Sequence, residues 1–246
     1  MGKAVNALII TLWASPALCL PLAYQSIVQG ALYAQWRDTF PMLHDEGYQD
    51  GNHAFRLFTF SPLQGRYRVE GKSILFTGPV SLEVRSPAPE LIAALSDSLT
   101  QSGIIRLSNQ ELPLVNLSCA DRLLFFPLAR LRMIAPVTMH RRREDGGTEY
   151  LSPMDAEFPA LLAGNLAAKL RACGSDAPPL IRYTVLERTL RKRVTTFRGI
   201  YITGWMGDFL LEADPEVIAL LYYAGLGDRN SQGFGMFAIE AGPPPK

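Results

Sequence analysis

The sequence predicts an α+β fold built from two consecutive units, each with its elements in the order β-α-β-β-α-β. Short apolar runs rich in β-branched residues alternate with stretches whose apolar residues recur every three or four positions. Glycine-containing turns separate these segments, and the whole pattern occurs twice. A chain of 246 residues is also long enough for two domains of roughly 120 residues each.

The first unit begins with a strand predicted over residues 5–13 and a helix over residues 22–37. One face of this helix carries apolar residues at helical spacing, namely Tyr24, Ile27, Val28, Ala31 and Leu32. Tyr33 falls on the opposite side of the helix, away from that stripe. The remaining predicted elements are strands at residues 55–61, 67–70 and 73–85, a helix at 87–102, and strands at 104–107 and 112–118. This order is that of a ferredoxin-like domain.

The second unit repeats the order, with an extended segment at residues 122–139 and a turn at Asp145–Gly147 that leads to a short strand. Asp214-Pro215-Glu216 has the N-cap, first-turn proline and first-turn acid that begin a helix. The other predicted elements are a helix at 155–172, strands at 181–190 and 194–204 joined by the basic turn Arg191–Arg193, and strands at 209–213 and 233–240. We therefore expect domains at residues 1–118 and 119–246, each an antiparallel sheet with helices on one face.

The N-terminal apolar run has two interpretations. Lys3 precedes the run and Cys19 follows it, as in a secretory signal, so an exported binding protein that loses residues 1–19 stays an alternative. A buried first strand explains the same run, and it is favoured because Asn6 and Thr11 interrupt the run and its basic segment is a single lysine. No other stretch approaches the ~20 apolar residues of a membrane span, so we expect a cytoplasmic protein without a membrane partner.

The three cysteines, Cys19, Cys119 and Cys173, lie far apart in the sequence. Their odd number and wide spacing predict neither a disulfide framework nor a zinc site. We expect buried, reduced thiols, and the sequence calls for no metal or other cofactor.

Positive charge is concentrated in the second half of the chain, although the net charge is only +1. Residues 122–143 and 181–198 contain 12 Lys or Arg and a single acid, Glu187. Such stretches are typical of a surface that binds a polyanion, and a solvated charged face is the alternative. The candidates for phosphate contacts are Arg141, Arg142, Arg143, Arg188, Arg191, Lys192 and Arg193.

A glycine-rich run follows the last predicted helix and precedes the last predicted strand. It contains Gly225, Gly227, Gly233 and Gly235, with Arg229 adding a positive charge. Closely spaced glycines let backbone N–H groups approach a phosphate. The order from helix to loop to strand excludes a dinucleotide-binding or P-loop arrangement, while a helix C-cap with a glycine-rich connection stays an alternative.

This run resembles the glycine-rich signature of the RAMP superfamily of CRISPR proteins, and most closely that of the Cas-six repeat endoribonucleases. The resemblance rests on Gly225, Gly227, Asn230, Ser231, Gly233, Phe234 and Gly235. It extends, in register along most of the chain, to Leu43-His44-Asp45-Glu46-Gly47-Tyr48, Arg56-Leu57-Phe58-Thr59-Phe60-Ser61, Tyr150-Leu151-Ser152-Pro153 and Gly199-Ile200-Tyr201.

The resemblance implies that a cleft between two ferredoxin-like domains binds CRISPR repeat RNA in precursor crRNA. It also implies cleavage without a metal ion by attack of a ribose 2′-hydroxyl, which leaves a 2′,3′-cyclic phosphate. The family commonly uses a tyrosine on the first helix, a histidine after it and a lysine in the next strand. The matching residues here are Tyr33, His44 and Arg56, and the arginine departs from the family's lysine.

The chemistry of the residues is compatible with this site. Histidine has an ordinary pKa of ~6.5, which suits proton transfer at neutral pH. The chain has three histidines, of which His44 follows the Tyr33 helix directly, with His53 and His140 as further candidates. Arginine cannot give up its proton, so Arg56 would act electrostatically or be a surface residue of its strand.

The main alternative function is a non-catalytic RAMP subunit that binds RNA within a CRISPR complex. The glycine-rich run and the basic stretches suit both functions, whereas Tyr33 and His44 favour the enzyme. The sequence leaves open whether the protein is a homodimer or joins the subunits of an interference complex.

Overall fold

The computed structural model describes residues 5–43, 47–50, 53–119, 123–175 and 180–240. Two hydrophobic cores are present, one formed by residues 8–112 and the other by residues 129–237. The predicted α+β architecture is confirmed, since each core lies between an antiparallel sheet and a pair of helices. No helix in the described part of the chain is both long and apolar enough to cross a membrane.

The first domain is ferredoxin-like, and its strands lie in the order β4-β6-β1-β8-β7, with β5 also paired to β6. Its elements are β1 (Ala7–Pro21), α1 (Gln25–Trp36), β2 (Tyr48–Asp50), β3 (His53–Phe55), β4 (Thr59–Phe60), β5 (Gln64–Glu70), β6 (Ser73–Arg85), α2 (Pro89–Ser102), β7 (Ile104–Leu107) and β8 (Gln110–Cys119). The 15-residue strand β1 is central and pairs with β6 and β8. The apolar N-terminal run is therefore a buried strand, and cleavage after residue 19 would remove the centre of this sheet.

Helices α1 and α2 cover one face of the first sheet. The predicted stripe of α1 is confirmed, because Val28, Ala31 and Leu32 are buried against the sheet. The indole Nε1 of Trp36 donates a 2.8 Å hydrogen bond to the carbonyl oxygen of Leu91, which ties the two helices together. This bond satisfies the polar atom of a fully buried tryptophan.

The second domain is also ferredoxin-like, with its four sheet strands in the order β12-β15-β9-β16. Its elements are β9 (Leu128–Met133), β10 (His140–Arg142), β11 (Thr148–Tyr150), α3 (Phe158–Ala172), β12 (Ile181–Val185), β13 (Arg191–Phe197), β14 (Ile200–Met206), β15 (Asp208–Ala213), α4 (Pro215–Ala224) and β16 (Phe237–Glu240). Asp214 is the N-cap of α4, as predicted. Strands β10–β11 and β13–β14 form two hairpins outside the four-stranded sheet.

The structure corrects the predicted basic turn at Arg191–Arg193. These residues begin β13, and the chain reverses instead at Arg198 and Gly199, which have φ angles of 49° and 82°. Glycine readily adopts the positive φ that a two-residue hairpin turn requires, whereas three consecutive long basic side chains give no such advantage. The first of the two long predicted strands ends at Val185, before a 3₁₀ turn at Glu187–Thr189.

The expectation of buried thiols is wrong, because Cys19, Cys119 and Cys173 are all exposed and free. Cys119 is the last residue of β8 and Cys173 directly follows α3, so both lie where an element leaves its core. Distance along the sequence indicated that they do not pair, but it carried no information on burial.

A buried arginine joins the two domains. The Arg85 side chain is only 3% exposed and pairs with Glu83 at 2.6 Å. Its guanidinium donates a 2.7 Å hydrogen bond to the carbonyl oxygen of Phe237 in β16. It also lies 3.7 Å from the ring centroid of Tyr222 in α4. These contacts fix the end of β6 against the second domain and hold the space between the domains in place.

Candidate active site between the two domains

A cleft of about 610 Å³ lies between the domains. The first domain contributes the segment that connects β3 to β4, including Arg56. The second domain contributes α3, the start of β10 at His140, and residues 228–232 of the glycine-rich loop, which we define as residues 225–235. Polar and cationic groups from both domains therefore face a single space.

Tyr33 and Arg56 meet the glycine-rich loop at this cleft. The Arg56 guanidinium donates to the Tyr33 phenol, which also forms a hydrogen bond with the side chain of Ser231. Burial raises the pKa of the Tyr33 phenol above its ordinary value, against the opposing effects of these contacts and of the Arg198 charge. Tyr33 therefore keeps its proton at neutral pH.

The side of α1 that carries Tyr33 faces the second domain. The side-chain Nε2 of Gln29 donates a 2.8 Å hydrogen bond to the carbonyl oxygen of Ser231, and Gln29 is itself buried. The Arg198 guanidinium donates to Gln29 Oε1 at 3.4 Å, so the β13–β14 turn reaches the same helix. The Tyr33 ring packs edge-on against Phe58, with centroids 5.7 Å apart. Tyr33 was predicted to face away from the core, but its side chain is partly buried and packs against the first core. Contacts from both domains position it.

His44 lies outside the described residues, so the structure does not test its place in the site. Of the described residues beside it, Gly47 contacts the first-domain wall of the cleft. The backbone N–H of Gly47 donates a 3.2 Å hydrogen bond to the carbonyl oxygen of Met42. Gly47 also packs against the backbone of Phe55 and the side chain of Arg56.

The glycine-rich loop is closely packed against itself. The buried side chain of Asn230 donates through Nδ2 to the carbonyl oxygens of Leu226 and Phe234, at 3.1 and 3.2 Å. A Cβ at Gly235 would overlap the Leu226 carbonyl oxygen, and one at Gly225 would lie 2.5 Å from Asn230 Nδ2. These glycines are required by close packing inside the loop.

Backbone N–H groups of this loop are already used within the protein. Those of Gly225, Gly233 and Gly235 donate to the carbonyl oxygens of Leu221, Asn230 and Pro136. These three groups are therefore not available to cradle a phosphate, and Phe234 is buried. The loop presents Arg229 and Ser231 to the cleft instead.

Lys169 of α3 is a residue that the sequence analysis missed. It is 2% exposed, and its Nζ donates to the carbonyl oxygens of Gly225 and Gly227 at 2.7 and 2.6 Å. Burial lowers the pKa of Lys169 to about 7, while the neighbouring Asp228 charge favours the protonated form. Its position was a signal, because Leu162, Leu166 and Lys169 share one helix face and a lysine on an apolar face requires a buried partner.

His140 and Asp228 form a pair on the second-domain wall of the cleft. The backbone N–H of His140 donates a 3.0 Å hydrogen bond to Asp228 Oδ2, and the imidazole Nδ1 contacts the same carboxylate oxygen. The Tyr150 ring lies beside the imidazole, with centroids 5.8 Å apart. The carboxylate thus fixes both the backbone and the ring of His140.

The two basic hairpins differ in how their charges are paired. In β10–β11, Arg141 pairs with Glu149 at 2.8 Å and with Glu157 at 3.2 Å, and Arg143 pairs with Asp145 at 3.1 Å. In β13, the exposed Arg191 donates to the backbone carbonyls of Arg188 and Leu190. Because these acceptors are neutral, the bonds do not neutralise the positive charge of Arg191. The exposed side chains of Lys192 and Arg193 follow it.

Backbone strain is concentrated around the cleft. Among the residues that the structure describes, four that are not glycine have positive φ. Leu57 and Arg229 line the cleft, and Arg198 contacts Gln29. The fourth, Ser108, lies in the turn between β7 and β8. Left-handed conformations at such residues cost free energy and are concentrated at functional sites.

The fold and the cleft define a tandem ferredoxin-like protein whose two domains share one polar, arginine-lined site. Comparison with known proteins shows what this chain is similar to. Residues 127–239 match the sequence profile described as "CRISPR associated protein Cas6, C-terminal". The second domain is therefore similar to the C-terminal part of Cas6 proteins.

Two relatives match over most of their length. One is the "CRISPR-associated endoribonuclease Cas6 1" of Methanocaldococcus jannaschii, which is 29% identical over 88% of this chain and 86% of the relative. The other is the "CRISPR-associated endoribonuclease Cas6" of Pyrococcus furiosus, 25% identical over 91% of this chain and 85% of the relative. A solved structure described as "An RAMP protein binding different RNA substrates" superposes with a TM-score of 0.81 at 17% identity, covering 96% of this chain and 99% of that one.

Proposed function

We propose that this protein is an endoribonuclease that cuts CRISPR repeat RNA in precursor crRNA transcripts without a metal ion. The observation that carries the proposal is the meeting of Tyr33, Arg56 and Ser231 at the interdomain cleft. The names of the two relatives support the substrate class and the reaction.

The proposed reaction is an internal transfer at the scissile phosphate. The ribose 2′-oxygen forms a bond to phosphorus while the bond from phosphorus to the 5′-oxygen breaks. The products are a 2′,3′-cyclic phosphate and a 5′-hydroxyl. In this proposal His44 accepts the 2′-hydroxyl proton as general base. Tyr33 donates a hydrogen bond that orients the phosphate, because its phenol stays protonated.

Arg56 stabilises the negative charge that builds on the phosphorane oxygens. Arginine presents several donors in a planar group that matches a phosphate, and its charge is permanent. Its contact with Tyr33 places the two donors side by side, so both can reach one phosphate. The exposed basic residues at the start of β13 would bind the RNA backbone outside the cleft.

An end-labelled cleavage assay tests the proposal. The protein is incubated in excess EDTA with the CRISPR repeat RNA of its own genome, and with the same RNA carrying one 2′-deoxy nucleotide at the cut. We expect a single cut that resists EDTA and is absent from the 2′-deoxy substrate. The His44→Ala variant should bind the RNA and leave it whole.

Tyr33→Phe serves as a second variant, with Tyr67→Phe as its control. Tyr67 is 59% exposed on β5 of the same domain, so its hydroxyl can be removed without changing the cleft. Tight binding of repeat RNA by a wild-type protein that never cuts it would contradict the enzyme and establish the non-catalytic RAMP subunit. Mass photometry with and without RNA would determine whether the protein is a monomer, a homodimer or part of a larger complex.

A further inference from the structure

The proposed reaction needs a proton donor, and neither Tyr33 nor Arg56 is suited to that role. The departing 5′-oxygen must gain a proton, and His44 in its proposed role takes one up. Arg56 cannot release a proton. Burial makes Tyr33 a weaker acid than an ordinary phenol. A further acid on the cleft wall would supply the missing proton.

His140 is a group of this kind on the opposite wall. Its side chain is 34% exposed and lines the cleft together with Arg56 and Arg229. Asp228 Oδ2 contacts the imidazole Nδ1, so the ring nitrogen left for the cleft is Nε2. A carboxylate on one ring nitrogen fixes the orientation of an imidazole, as in catalytic triads.

The pair is tied to the Tyr33 site through one short loop. Asp228 is three residues before Ser231, and Ser231 bonds to Tyr33 and Gln29. The Asp228 backbone N–H donates a 2.9 Å hydrogen bond to the carbonyl oxygen of Thr138, two residues before His140. Hydrogen bonds therefore connect the base of β10 through the loop to α1.

We propose that His140, oriented by Asp228, is the general acid that protonates the 5′-oxygen of the leaving nucleotide. The imidazolium Nε2–H gives its proton to the 5′-oxygen as the bond between phosphorus and that oxygen breaks. The 2′-hydroxyl proton goes to the base proposed above, His44. This inference rests on the proposed endoribonuclease function and adds a second-domain residue to its catalytic groups.

A sulfur substitution in the substrate distinguishes a proton donor from a residue that only binds phosphate. In a 5′-phosphorothiolate RNA, sulfur replaces the bridging 5′-oxygen at the cut. An alkyl thiol has an ordinary pKa of about 8.5, so the thiolate departs without being protonated. Loss of a general acid should therefore slow the oxygen substrate and spare the sulfur substrate.

Single-turnover cleavage of both substrates would be measured for the wild type, His140→Gln and Asp228→Asn. For His140→Gln we expect a loss of about 100-fold on the oxygen substrate and less than about threefold on the sulfur substrate. Asp228→Asn should lose about tenfold on the oxygen substrate, with the same rescue by sulfur. The control is Glu144→Gln, an exposed residue in the turn of the same hairpin, which should lose little on either substrate.

Affinity for 2′-deoxy repeat RNA and the thermal unfolding midpoint are measured alongside, to confirm that each variant folds and binds. Equal losses on the two substrates would overturn the general-acid role, and so would normal cleavage by His140→Gln. If His140→Gln fails to fold, the same comparison of the oxygen and sulfur substrates is made with Asp228→Asn. A wild type that cuts neither substrate would instead refute the proposed function, and this inference with it.

Discussion

The two domains share one strand order but differ in what is attached to it. The first domain has a central 15-residue strand. It contributes Arg56 to the cleft, and Tyr33 of α1 contacts Arg56 beside it. The second domain adds two hairpins that carry most of the basic candidates. The comparison shows that the repeated core positions the site, whereas the chemistry comes from side chains at its edges.

The glycine-rich loop is the point where the two domains meet. It bonds to α1 through Ser231, to α3 through Lys169 and to the base of β10 through Asp228. A Cβ at Gly233 would lie 2.7 Å from the ring of Phe60 in the first domain. The loop therefore couples the two halves of the site, and the predictions below address that coupling.

The largest effect is expected from Gly235→Ala, because the new methyl group would overlap the Leu226 carbonyl oxygen at a φ of +75°. We expect a loss of more than about 3 kcal/mol in the free energy of unfolding. Gly174→Ala is the matched control, since Gly174 has a φ of +81° and open space around it. That variant should lose only about 1 kcal/mol. Urea unfolding measures both, and similar losses would contradict the close packing of the loop.

The next largest effect concerns the first-domain wall of the cleft. Arg56→Gln should slow single-turnover cleavage of repeat RNA by about 100-fold, because it removes a fixed charge from the developing phosphorane. The control is Arg106→Gln, an exposed arginine that pairs with Glu111 far from the cleft. Its rate should stay within about twofold of the wild type. An Arg56→Gln variant as active as this control would assign Arg56 a structural role.

The buried lysine makes stability depend on pH. The pKa of Lys169 is about 7 in the folded protein against an ordinary 10.5, so above pH 7 the unfolded chain binds more protons than the folded one. Stability should therefore rise with pH, on the order of 2 kcal/mol between pH 7 and 9. Lys169→Met should lack this rise, whereas Lys192→Met, an exposed control on β13, should keep it. A rise that persists in Lys169→Met would contradict the assignment.

The smallest effect compares the two basic hairpins. We consider a triple variant in which Gln replaces Arg191, Lys192 and Arg193. The slope of the logarithm of the RNA-binding constant against the logarithm of salt concentration should become less steep by up to about 2. The same change at Arg141 and Arg143 should matter less, because carboxylates already pair with both. Fluorescence anisotropy with uncleavable 2′-deoxy RNA over a range of salt concentrations would measure both slopes. If each replaced residue changes the salt slope equally in both hairpins, the ion pairs of Arg141 and Arg143 do not reduce their contact with RNA.

Local patterns in the sequence predicted most of the fold. The apolar stripe of α1 and the Asp214-Pro215-Glu216 helix start are encoded within a few residues, and both are confirmed. The turn of the β13–β14 hairpin was misplaced, because adjacent strands of similar composition give no local signal of where the chain reverses. The burial of the cysteines was wrong for a related reason, since it depends on which sheet face and element end they occupy.

The site was harder to predict because its contacts are distant in the sequence. Gln29 and Ser231 are 202 residues apart, and His140 and Asp228 are 88 apart. Periodicity within one element cannot reveal such pairs. The family resemblance supplied Tyr33, His44 and Arg56, but it did not indicate Lys169 or the link between His140 and Asp228.

The central claim, that side chains of both domains form one catalytic site, is tested most directly by a double-mutant cycle. Single-turnover cleavage of repeat RNA would be measured for the wild type, Tyr33→Phe, Ser231→Ala and the double variant. Because the two side chains share a hydrogen bond across the domains, we predict a coupling of about 1 kcal/mol, or roughly fivefold in rate. Effects that add to within about 0.3 kcal/mol would mean that the two domains act independently and would contradict the account.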